Sequence, residues 1–146
     1  MDQQRHKSPN FGFLASHDNL LVYCAAQAER YVFDDPVTAL IKLRQFGELL
    51  AKQAAAKTAI YVSPQDTNVE VLANLTDRGI LTAEAARLFH GLRKAGNAAV
   101  HQHTGTQREA LHQLRMARSL ALWFQRFLGK DPRFKAGPFV PPPPRD

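Results

Sequence analysis

The sequence predicts an all-α protein: an antiparallel bundle of four long helices plus one short helix, followed by an extended proline-rich C-terminal tail. Three observations carry this. Apolar residues recur at three- and four-residue spacing in five segments, capping residues or glycines stand at the segment ends, and no segment alternates with a period of two. Short connections between amphipathic helices favour antiparallel neighbours. The organisation expected is an irregular leader over residues 1–15, a helical bundle over 16–130 and a proline-rich linker or tail over 131–146.

In the leader, Ser8-Pro9-Asn10 is turn chemistry, and Phe11, Phe13 and Leu14 can pin the segment to a core. Ser16 is a good N-cap with Asp18 in the following turn, and Leu21, Cys24, Ala25, Ala28 and Val32 then fall at helical spacing. The first helix is expected from about 17 to 33. Asp35-Pro36 is a cap followed by proline at the first helical position. Leu40, Leu43, Phe46, Leu50 and Ala54 mark a long second helix reaching about residue 59. Ser63-Pro64 breaks the chain before a short helix over 66–77, which carries Val69, Leu72 and Leu75 and stops at Gly79. Thr82 caps a fourth helix over about 83–102, and Thr106 with Glu109 reads as a capping box for a fifth that reaches about 128 and ends at Gly129.

The end of the chain differs. KAGPFVPPPPRD holds four consecutive prolines and should run as an extended polyproline II segment, either a semi-rigid linker or a ligand for a proline-reading domain. There is no internal repeat.

At 146 residues, with 45% hydrophobic and 22% charged residues, the chain is long enough to bury a core of its own. No apolar run reaches the ~20 residues of a membrane helix, and the polar start MDQQRHKSPN lacks the apolar stretch of a signal peptide, so a cytoplasmic protein with no membrane partner is expected. The single Cys24 cannot form an internal disulfide or a cysteine zinc site and reads as a small buried hydrophobe. A net charge of +6 and a pI near 9.8 favour an anionic partner such as nucleic acid. On the fifth helix, Ala110, Leu114, Ala117, Ala121, Phe124 and Leu128 form an apolar stripe, with Arg108, His112, Arg115, Ser119 and Arg126 opposite. Arg108, Arg115, Arg118 and Arg126 are the candidate nucleic-acid contacts; the plainer account of such a face is solvation.

Among motifs, a phosphate-cradling GxxxxGK[ST] loop, a restriction-type metal nuclease core and a serine nucleophile elbow are all missing from the sequence. The stretch that could carry chemistry is LFHGLRKAGNAAVHQH, residues 88–103. Arg93, Asn97 and His101 recur every four residues and share a helical face, while Gly96 with Ala95, Ala98 and Ala99 lets another helix come close. On the second helix, Arg44 and Glu48 are also four apart, so Glu48 is placed to accept hydrogen bonds from Asn97, His101 or Arg93 if these helices are neighbours. The structural account is a polar lock holding two helices in register. The functional account is a ribonuclease-like or phosphate-binding cleft with His101 as general acid/base. His101 and His103 lie two apart on a regular helix and point in different directions, so no metal is assigned, and no cofactor is expected.

Taken together, SPNFGFLASHDNLLVYCAAQAERYVFDDPVTALIKLRQFGELLA, DRGILTAEAARLFHGLRKAGNAAVH and FKAGPFVPPPP resemble the N-terminal region of type I restriction endonuclease R subunits, from about Ser8 to Pro144. The module also resembles the HEPN (higher eukaryotes and prokaryotes nucleotide-binding) superfamily of helical bundles and a domain of unassigned function in other bacterial proteins. The resemblance implies a segment that precedes a nuclease domain and a DNA-translocating helicase motor. The parent would be an ATP-dependent type I site-specific deoxyribonuclease whose catalytic sites lie beyond residue 146, so this segment alone is not expected to be an enzyme. HEPN ribonucleases place an arginine one to two helical turns ahead of the histidine. Here Gly96 stands directly before Asn97, Lys94 is not arginine, and Arg93 is separated from His101 by seven residues. Asn97 and His101 match that pattern and the arginine does not.

The function expected is therefore a non-catalytic accessory domain of a restriction-modification R subunit, serving assembly or DNA contact. Its partners would be DNA and the other restriction-modification subunits, with homodimerisation open. The competing accounts are a metal-independent HEPN-like ribonuclease using His101, Asn97, Arg93 and Glu48, and a stand-alone helical adaptor.

Overall fold

The computed structural model describes residues 7–144; Met1–His6 of the expected leader and the last two residues of the tail lie outside the described residues. The described chain is all-helical, with five α-helices and no strand. These are α1 (Asn19–Tyr31), α2 (Pro36–Lys57), α3 (Asn68–Asp77), α4 (Ala83–Gln102) and α5 (Gln107–Trp123). A 3-10 turn over Gly12–Ser16 precedes α1, and a π turn over Phe124–Leu128 extends α5.

Capping chemistry sets most boundaries. Asp35 accepts from the Thr38 amide at 3.2 Å with Pro36 at the first helical position, and Thr82 accepts from the Ala85 amide at 3.0 Å. Gly79 takes φ 74, the left-handed conformation that ends a helix without a Cβ penalty. Thr67 and Glu70 form a full capping box, which starts α3 at residue 68 rather than the expected 66. At α5 half of the expected box forms. Thr106 Oγ1 accepts from the Glu109 amide at 3.1 Å, but the Glu109 carboxylate accepts from the Thr106 hydroxyl instead of its backbone.

Two ends differ from expectation for packing reasons. Asp18, not Ser16, caps α1, accepting from the Leu20 amide at 2.9 Å. Ser16 belongs to the 3-10 turn, because full burial of Phe11 and Leu14 draws that segment into the core. Phe11 and Leu14 pin this part of the leader to the bundle as expected, with the Phe11 ring edge-on to Phe46 at 5.3 Å. α2 stops at Lys57, where the Thr58 hydroxyl donates back to the Ala54 carbonyl at 2.8 Å and Ala59 turns to φ 58.

α2 is the central helix and contacts each of the other four. It contributes Leu40, Leu43, Phe46 and Leu50 to the core, against Leu21 and Val22 of α1, Phe89 and Leu92 of α4, and Leu114 of α5. Each such side chain contributes about 1.5–3 kcal/mol on burial. Its most extensive partners are α4 and α1. Small residues let α4 approach: Gly47 lies against Leu92, and Gly96 lies against the stem of Arg44.

Candidate functional site

At the α2–α4 crossing, Arg44 runs across Gly96. A Cβ on Gly96 would overlap Arg44 Cβ and lie 2.9 Å and 3.0 Å from its Cγ and Cδ. The guanidinium then donates from Nη1 to Asn97 Oδ1 at 3.1 Å, while its buried Nε has no partner among the described residues. A polar link between the second and fourth helices is therefore present, but Arg44 makes it to Asn97 in place of the expected Glu48.

The other three members of the expected cluster are elsewhere. Glu48 lines an apolar groove of about 300 Å³ with Leu20, Tyr23, Cys24 and Lys52, and also faces Asp66, Thr67 and Asn68 at the start of α3. The physical reason is the crossing itself. Gly96 admits the Arg44 stem, and that leaves Glu48, one turn on, towards α1 and α3. Arg93 turns to its own helix, with Nε 3.3 Å from Nδ1 of His90. Burial, reinforced by the charges of Arg93 and Lys94, holds the His90 pKa below its ordinary value, which suits a neutral ring accepting that bond. His101 and His103 are exposed, and His103 takes φ 50 where α4 ends. Glu48, Arg93, Asn97 and His101 do not form one cluster.

Three of the four candidate arginines on α5 and its π extension make contacts within the chain. Arg108 is exposed near the helix start. Arg115 places its guanidinium 4.5 Å from the centroid of the Phe139 ring. Arg118 is buried, so it does not belong to the solvent side. It donates to the Gly137 carbonyl at 2.6 Å and to Asn10 Oδ1 at 3.4 Å. Arg126 donates from Nε to the Phe134 carbonyl at 3.0 Å. Three of the four candidate nucleic-acid residues thus hold the C-terminal segment against the bundle.

That segment is also held by Asn10, which is buried and acts as a surrogate peptide group. Its Nδ2 donates to the Val140 carbonyl at 2.9 Å and its Oδ1 accepts from the Val140 amide at 2.7 Å. The same Nδ2 donates to Glu29 at 2.7 Å. Burial raises the Glu29 pKa, and the hydrogen bonds from Ser8 and Asn10 and the charge of Arg118 oppose the rise. Phe134 packs on Phe13 with ring centroids 4.8 Å apart. The linear pattern does not single out Asn10 or Glu29. Asn10 reads as a turn residue, and its partner Val140 is 130 positions away.

Elsewhere, burial pushes the Cys24 thiol up, with Lys42 opposing, so Cys24 packs as a small apolar residue. No helix of the described residues is long and apolar enough to cross a membrane.

Residues 26–121 match the family described as Domain of unknown function (DUF4145), and the chain belongs to that family. More particularly, it is 34% identical over 133 residues to the type I restriction enzyme EcoKI endonuclease subunit of Escherichia coli (strain K12). That similarity covers 91% of this chain and 11% of the relative's length. The resemblance to R subunits drawn from the sequence therefore holds. No solved structure matches.

Proposed function

We propose that this chain is a non-catalytic helical module of a type I restriction-modification R subunit, serving assembly with the other subunits and contact with DNA. The observation that carries the non-catalytic reading is the Arg44–Asn97 bond across Gly96. It commits Asn97 of the LRKAGNAAVH stretch to fastening two helices, while Arg93 turns to His90 and His101 stands exposed. Similarity over 91% of the chain to an endonuclease subunit of which it covers 11% supports a part within a larger cytoplasmic machine. The extended tail, held against an antiparallel bundle, would join this module to its surroundings.

The test is titration of the purified chain into an assembled complex of modification and specificity subunits, followed by calorimetry and size-exclusion chromatography. Saturable binding and co-elution are expected, and no interaction would overturn the assembly role. In parallel, RNA is incubated with the chain in EDTA beside a His101→Ala control. Cleavage that vanishes in the control would replace this reading with the ribonuclease one.

A further inference from the structure

The segment after α5, FQRFLGKDPRFK over residues 124–135, carries four cations and one acid. The π turn widens the helix here, Lys130 takes φ 56, and the chain reverses. The result is an open cleft of about 360 Å³ lined by Arg126, Pro132, Arg133, Phe134 and Lys135. Three of those five side chains are cationic and none is acidic. Asp131, the one acid of the segment, does not line the cleft and accepts from Gln125 at 3.3 Å.

The cations are differently prepared. Arg126 is fixed through Nε by the Phe134 carbonyl at 3.0 Å, and its two Nη nitrogens have no hydrogen-bond partner among the described residues. Arg133 and Lys135 are exposed and make no hydrogen bond or ion pair among the described residues. A pre-aimed guanidinium flanked by two uncommitted cations suits the tetrahedral oxygens of a phosphodiester. Phe127, beside Arg126 in the chain, is 66% exposed and offers an aromatic face of the kind that stacks on bases. A phosphate-bearing polymer with bases fits this combination better than a lipid surface or an acidic peptide does.

We propose that the cleft formed by Arg126, Arg133 and Lys135 binds the phosphodiester backbone of a nucleic acid. The site places DNA contact at the end of α5 and not along its length, where Arg115 and Arg118 are occupied. It deepens the DNA-contact side of the function proposed above, and rests on that reading only for preferring DNA as the polymer.

The experiment is titration of fluorescently labelled DNA, duplex and single-stranded, with the full chain at low and moderate salt. Compared are wild type, Arg133→Glu/Lys135→Glu and Arg108→Glu. Arg108, the exposed arginine that the helix spacing also nominates, lies 18 residues before Arg126, roughly 27 Å along the helix axis, and serves as the competing site. Wild type is expected to bind at low salt. The double variant should bind at least about tenfold more weakly, with a salt slope lower by about two. Arg108→Glu should stay within about twofold of wild type. Arg133 and Lys135 are exposed and make no hydrogen bond or ion pair among the described residues, so the double variant should keep the wild-type circular dichroism and melting temperature. Equal binding by the double variant, equal weakening by Arg108→Glu, or salt-indifferent affinity would each overturn the site. Tighter binding to anionic vesicles of phosphatidylserine than to DNA would overturn the choice of ligand. Loss of subunit assembly in the earlier titration would leave these readouts unaffected, so the two proposals fail separately.

Discussion

Gly96→Ala should destabilise the fold even though alanine is the better helix former. In an unobstructed helix interior the exchange stabilises by about 1 kcal/mol. Here the new methyl group would overlap Arg44 Cβ. That atom is one bond from the α2 backbone, so it cannot swing aside as a side-chain tip could. Separating α2 and α4 costs about 1–3 kcal/mol by overpacking. The same displacement disturbs the bond from Arg44 to Asn97, 3.1 Å long, which as a charge-assisted interaction contributes about 1.5–3 kcal/mol. The net expectation is a loss of roughly 1.5–5 kcal/mol. Gly91→Ala on the same helix is the internal control, because its Cβ would meet only Gln113 Oε1 at 3.6 Å, an ordinary contact. It should stabilise by about 0.5–1 kcal/mol. Urea unfolding followed by circular dichroism at 222 nm (the usual helix band, to roughly a nanometre) measures both. If Gly96→Ala matches wild type, or moves in the same direction as Gly91→Ala, the close crossing is not what holds these helices.

Two further outcomes follow from the C-terminal clamp. Asn10→Ala removes both bonds to Val140 and those to Glu29 and Arg118, leaving Arg118 held through Gly137, so stability should fall by about 1–3 kcal/mol and trypsin should cut faster after Arg133 and Lys135; an unchanged cleavage rate would count against the clamp. Glu29 has a raised folded-state pKa, so the folded chain holds its proton more tightly than the unfolded one, and its contribution is fully present below the ordinary value of 4.5 and lost as pH rises through the folded value. Melting temperatures of wild type and Glu29→Gln, compared from about pH 4 to pH 8, should show the wild type losing ground as pH rises, and parallel curves would refute the assignment.

Much of the helical framework was legible because it is written in local chemistry. Asp35, Thr82 and Gly79 fix helix ends through bonds and dihedrals that involve residues within a turn. The start of α1 was not, since Ser16 and Asp18 both cap well and burial of Phe11 and Leu14 decides between them. Of the polar residues spaced along α4, Asn97 alone makes the link with α2, and its partner is Arg44. Spacing cannot choose between Arg44 and Glu48, which stand four residues apart on one face, because the choice depends on where the helices cross. The α5 arginines show the same limit more sharply. Periodicity separates charged from apolar positions, but it cannot reveal that a segment from beyond the helix covers the charged ones.

The pairing of Asn10 with Val140 closes a loop of 130 positions. Bringing two such distant points together in an open chain costs about 4 kcal/mol of configurational entropy, more than two hydrogen bonds return, so this contact forms after the helices have already drawn the ends near. Late formation has a kinetic corollary: interactions absent from the transition state govern how fast a protein comes apart and leave the rate of its assembly nearly untouched. Strengthening or weakening this latch would therefore set the residence time of the closed form, with the core of α2 and α4 forming at its own pace.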